Sequence, residues 1–187
     1  MPGNSPYEAV DAFLKPLQRA ISCLGSAKIS TSPRGKHQPE MLHGWTLNDG
    51  AGMTVQARDG GGRLGVFRAS MHYEIVLSDD RHEGKWRVST RGYAYELVGA
   101  GDQKTWSMHW HPVGRSGITS PHFHLPPYGE HQHLRSSRHT LETAVQWCIE
   151  MGGAAVDGWE QVLAETEGVH KLWRSWSDDR SPNEIAP

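Results

Sequence analysis

The stretch from residue 44 to 112 constrains the fold most strongly, because short runs of β-branched and aromatic residues alternate there with glycine- and aspartate-rich clusters. The clusters are DGAG at 49–52, DGGG at 59–62, SDDRHEG at 78–84 and GAGD at 99–102. This texture is typical of antiparallel strands joined by short turns. In KWRVSTRGYAYEL the bulky residues change from even to odd positions, which predicts a β-bulge near Arg91 and Gly92.

Helical patterns lie on both sides of this stretch. Ser5 as cap and Pro6 at the first helical position predict a first helix over 6–24, and Pro16 is expected to kink or divide it. Residues 25–42, rich in Ser, Pro, Gly, Lys and Arg, are predicted to form a loop.

The carboxy-terminal part of the chain predicts one or two further helices. Thr140 is a suitable cap for the first of them, and Gly152 and Gly153 are expected to end it. A last helix is expected from about Val156, before a polar tail.

These elements together predict the α+β class. We expect an antiparallel meander of about five or six strands, packed by the amino-terminal helix and by one or two carboxy-terminal helices. The length of 187 residues fits a single domain, with flexible ends at 1–4 and 177–187.

Composition narrows the setting in which the protein works. The chain begins without a basic segment followed by an apolar one, and it has no run of eighteen apolar residues. We therefore expect neither signal peptide nor membrane span, and a cytoplasmic location.

Cys23 and Cys148 fall on predicted apolar stripes, which favours buried, reduced thiols. The net charge is -2, but residues 103–140 are locally basic, which permits contact with a phosphate-bearing ligand.

Two H-x-H pairs carry the clearest functional signal. In TWSMHWHP the tryptophans and the methionine alternate with His109 and His111, so both imidazoles share one strand face. In PHFHL the same period places His122 beside His124, and the flanking prolines favour an extended backbone. If the two strands form a hairpin through VGRSGITS, the four imidazoles converge in one patch.

Such a patch suits acid–base chemistry on a phosphodiester. With a pKa of ~6.5, an imidazole can accept or donate a proton near neutrality. We therefore predict His122 and His124 as acid and base, supported by His109 and His111, with no cofactor. Arg138, just before a predicted helix start, and Arg135 are candidates to stabilise the developing negative charge.

Metal binding is the alternative. Neutral imidazoles on alternate strand positions are good ligands for a divalent transition metal, and the ligands would be His109, His111, His122 and His124. The pairing is similar to the first cupin motif, H-x-H followed by glutamate, but five residues separate His124 from Glu130. A third hypothesis is a non-catalytic interaction module, in which Trp173 and Trp176 form a surface for a partner.

The order of features between residues 85 and 145 resembles bacterial toxin components of the TumE type. The resemblance rests on Y-x-Y-x-L at 93–97, the strand with His109, P-H-x-H at 121–124 and a helix opening T-L-E at 140–142. It implies a toxin that acts on RNA or a nucleotide and is neutralised by a cognate antitoxin protein. Of the candidate site residues, His122 and His124 match by position.

Overall fold

A computed structural model describes residues 2–32, 36–78, 84–112, 118–126 and 132–172. The helices are α1 (Pro6–Ile21), α2 (Leu141–Glu150) and α3 (Trp159–Leu172). The strands are β1 (Pro2–Gly3), β2 (Ile29–Thr31), β3 (His43–Leu47), β4 (Met53–Gln56), β5 (Arg63–Leu77), β6 (Trp86–Val98), β7 (Lys104–Trp110), β8 (His122–His124) and β9 (Leu134–Arg135).

The strands form one antiparallel sheet. Seven of them are hydrogen-bonded in the order β2-β3-β5-β6-β7-β8-β9, while β1 pairs with β6 and β4 pairs with β5. The expected α+β class is therefore confirmed, although the described residues form more strands than the five or six expected. Strands β1, β2 and β9 were not expected, and they have only two or three residues each, too few for an alternating pattern to show in the sequence.

The long hairpin of β5 and β6 forms the middle of the sheet. His72 pairs with Gly92 and Tyr73 pairs with Thr90, so Arg91 is an extra residue in β6. This is the predicted bulge, and it explains why the bulky residues of β6 change from even to odd positions.

The helices cover one face of the sheet. The Ser5 side chain caps α1 by accepting from the Glu8 amide, and α1 runs through Pro16 without being divided. Thr140 caps α2 as predicted, and the backbone after α2 turns at Gly152 with φ of 100°. Both cysteines are buried and free, as expected, in a core shared by α1, α2 and the covered face of the sheet.

Two segments that were expected to be a loop and a flexible end each contain a short strand. The predicted loop over 25–42 contains β2, which pairs with β3 from Ile29 to Thr31. The amino-terminal end, expected to be flexible over 1–4, contains β1, which pairs with β6 beside Trp86 and Arg87. Backbone pairing with a neighbour that is distant in sequence forms these two short strands, and the polar or proline-rich composition around them gives no sign of it. The predicted flexible end over 177–187 lies outside the described residues.

Candidate functional site

Strands β7 and β8 carry the candidate site. They pair antiparallel, with His109 opposite His122, Met108 opposite Phe123, and Ser107 opposite His124. The two strands are therefore adjacent as predicted, while part of the connection between them, residues 113–117, lies outside the described residues.

The alternation of side chains separates the two faces of β7. Trp106, Met108 and Trp110 are buried in the core, with at most 7% of their surface exposed. The histidines take the opposite face because successive side chains of a strand point to opposite sides. Ala94 of β6 pairs with His109. On this side, therefore, His109 has a short side chain as its cross-strand neighbour.

The structure brings the four predicted imidazoles together. The ring centroid of His122 lies 5.8 Å from that of His109, 5.1 Å from that of His111 and 5.2 Å from that of His124. His109 and His124 are 5.3 Å apart, and His109 and His111 are 6.3 Å apart. Within this group, His109, His122 and His124 have ligand nitrogens that all lie within 4.8 Å of one another.

His122 is the most constrained of these residues. Its side chain is fully buried, and its Nδ1 lies 2.9 Å from the carbonyl oxygen of Ser120. A carbonyl oxygen can only accept, so Nδ1 carries the hydrogen and Nε2 keeps its lone pair. Nε2 is itself buried and has no hydrogen-bond partner among the described residues. A buried polar atom without a partner is costly, and such atoms are found where a ligand is bound.

Burial favours the uncharged form of two of these imidazoles. It lowers the pKa of His109 to about 4, and the neighbouring histidines and Lys104 contribute in the same direction. The pKa of His122 is lowered as well, mainly by burial, although its hydrogen bond to Ser120 acts in the opposite direction. His109 is therefore neutral at pH 7, which is the form that binds metals and not the form that acts as a general acid.

The two candidate arginines, Arg135 and Arg138, have different surroundings. Arg135 of β9 is exposed and pairs with His122 in the strand register. The guanidinium carbon of Arg138 lies 3.4 Å from the centre of the Trp110 ring, a cation–π contact with a residue of the core cluster. Because Trp110 and His109 are successive residues of β7, the structure places Arg138 against the ring that points away from the imidazoles.

A fifth histidine joins the cluster. The ring of His133 lies 4.9 Å from that of His122 and 4.5 Å from that of His124. His133 was not among the candidate site residues, although it belongs to a third H-x-H pair with His131, and that repetition was the signal available in the sequence. His131 lies outside the described residues, as do Trp173 and Trp176, so the predicted partner surface is not described either.

Comparison with known proteins yields no relatives. No protein-family model, no curated protein and no solved structure matches the chain significantly. The resemblance to TumE-type toxins therefore stays a prediction. None of the described helices is long and apolar enough to cross a membrane.

Proposed function

We propose that this protein binds a divalent transition metal, with His109, His122 and His124 as ligands. The proposal rests above all on the buried Nε2 of His122. In the neutral ring, donation from Nδ1 to the Ser120 carbonyl leaves the lone pair on Nε2, which lacks a partner among the described residues. A histidine that donates its other ring nitrogen to a carbonyl is the usual arrangement of a metal ligand.

The spacing of the rings supports the same conclusion. A zinc–nitrogen bond of ~2.1 Å and a further ~1.2 Å to the ring centre put the centroids of tetrahedral imidazole ligands ~5.3 Å apart. The three centroid distances in the site are 5.2, 5.3 and 5.8 Å. The ligand nitrogens of the three histidines lie within 4.8 Å of one another. Around a tetrahedral metal they would have to approach to about 3.4 Å. Rotation of the half-buried His109 and His124 rings can supply this movement.

The ligand set also defines the class of metal. Imidazole nitrogens suit zinc, copper, nickel and non-haem iron, whereas magnesium and calcium require oxygen ligands. The described residues that meet at the site contribute imidazole nitrogens and no carboxylate. The proposal is therefore for a metal of the zinc type.

Metal analysis of the purified full chain tests this proposal. After treatment with a chelator and dialysis against zinc, we expect one zinc ion per chain in the wild type and loss of that ion in His124→Gln. His72→Gln is the matched control, because His72 is an exposed histidine on β5, outside the cluster. Equal zinc contents in the wild type and in His124→Gln would contradict the proposal.

Cleavage of a phosphodiester by a toxin-like protein remains a separate hypothesis with its own test. It predicts that purified protein cleaves RNA in the presence of excess EDTA, and that His124→Ala abolishes this cleavage without unfolding the protein. The neutral state of His109 limits the role of general acid to the other imidazoles. Cleavage that requires zinc would instead join the two hypotheses in a metal-dependent enzyme.

A further inference from the structure

We infer that His133 is the fourth ligand of the proposed metal site, and that the bound metal thereby fastens strand β9 to the edge of the sheet. This inference rests on the proposed function and extends it from metal binding to control of a segment. It follows from the position of His133, the coordination geometry and the weak attachment of β9.

The ring of His133 lies beside two of the three proposed ligands. Three imidazoles leave one position of a tetrahedral metal open. The His133 ring is 4.9 Å from His122 and 4.5 Å from His124, close to the ~5.3 Å expected between tetrahedral ligands. Its side chain is exposed, so it can turn toward a metal without disturbing the core.

His111 is the competing candidate for the fourth position. Its ring is 5.1 Å from that of His122 and 6.3 Å from that of His109, whereas the His133 ring lies within 4.9 Å of both rings that it meets. His111 is also the residue directly after β7, and the same strand already supplies His109. The backbone of β7 therefore restricts both histidines together. His133 comes from a different segment and approaches the metal independently.

Among the described residues, strand β9 is held mainly by its pairing with β8. It consists of Leu134 and Arg135, both exposed, paired with Phe123 and His122 of β8. One further backbone hydrogen bond, from the Ser136 amide to the Pro121 carbonyl, has a length of 3.0 Å. Exposed segments with so few contacts open at low free-energy cost. A metal–nitrogen bond through the adjacent His133 would oppose this opening.

Strand β9 forms the edge of the sheet next to the proposed ligands. Strand β9 is the last in the hydrogen-bonded order and covers β8, which carries two of the proposed ligands. Loss of the metal would release β9 and leave the β8 backbone groups available for pairing. Metal occupancy would thus control whether this edge is covered.

Cobalt binding tests the inference, because tetrahedral Co²⁺ absorbs visible light far more strongly than five- or six-coordinate Co²⁺. We expect the full-length wild type to give the intense tetrahedral spectrum. In His133→Gln a water is expected to take the open position, so the spectrum should change in shape and position and the affinity for Co²⁺ should fall at least ~10-fold, whereas His111→Gln should keep the wild-type spectrum and affinity. Hydrogen exchange at residues 134–136 should slow on metal binding in the wild type and stay fast in His133→Gln.

The outcomes separate this inference from the proposed function. If the wild type binds Co²⁺ and His133→Gln has the same spectrum and affinity, the inference is overturned while metal binding stands. A weak spectrum in the wild type, or a changed spectrum and lower affinity in His111→Gln alone, also overturns it. If the wild type binds no Co²⁺ and no zinc, the proposed function itself fails.

Discussion

Replacing His122 by phenylalanine should separate metal binding from stability. In the absence of metal, the buried Nε2 of His122 has no partner among the described residues, while Nδ1 donates to the Ser120 carbonyl. An unsatisfied buried polar atom costs about 1–3 kcal/mol, and a typical hydrogen bond contributes about 0.5–1.5 kcal/mol. Phenylalanine removes both, so we expect a net gain of about 1 kcal/mol without metal.

In the presence of zinc, the wild type should become more stable than His122→Phe. At a free concentration ~100-fold above its Kd, a ligand stabilises the folded state by about 2.7 kcal/mol. For a chain of this length 1 kcal/mol corresponds to ~2–4 °C in Tm. The wild type should therefore gain roughly 5–11 °C on addition of zinc. His122→Phe should start ~2–4 °C above the wild type in EDTA and gain nothing from zinc.

Thermal unfolding followed by circular dichroism, in EDTA and in buffered zinc, measures both effects. His72→Phe is the control on an exposed histidine of the same sheet, and the smaller His122→Leu guards against overpacking. A loss of more than ~3 kcal/mol in EDTA for both His122 variants would contradict this prediction, because His122 would then be a structural core residue. A Tm that still rises with zinc in either variant would contradict it as well.

Three further predictions concern the fold. Thr140→Ala removes the cap that accepts from the Thr143 amide at 2.8 Å, so urea unfolding should show a loss of about 1 kcal/mol. Burial raises the pKa of Tyr73 to about 12, so the folded state retains a proton that the unfolded state releases above its pKa of ~10. The free energy of unfolding of the wild type should therefore fall by roughly 3 kcal/mol between pH 10 and 12. In Tyr73→Phe this contribution is absent, so its urea midpoint should decrease less over the same pH range. Gly3→Ala places a Cβ 2.5 Å from the Ala9 amide nitrogen, so it should cost about 1–3 kcal/mol; an unchanged urea midpoint would contradict the tight packing of β1 on α1.

Local patterns in the sequence determined much of this protein. The alternation around His109 assigned each side chain of β7 to a face, because the period of a strand is fixed by its backbone geometry. The change of parity in β6 located the bulge at Arg91, and the capping residues located the starts of α1 and α2. Each of these features depends on residues that are close in the chain.

The tertiary structure decided what depends on distant segments. The order of the strands placed His109 opposite His122 and brought His133 to the same cluster. It also buried the Nε2 of His122 without a partner among the described residues, and it placed Arg138 on Trp110 instead of beside the imidazoles. These relations follow from long-range backbone pairing and burial, which the residue types alone do not specify, whereas the alternation of a single strand is encoded in its own residues.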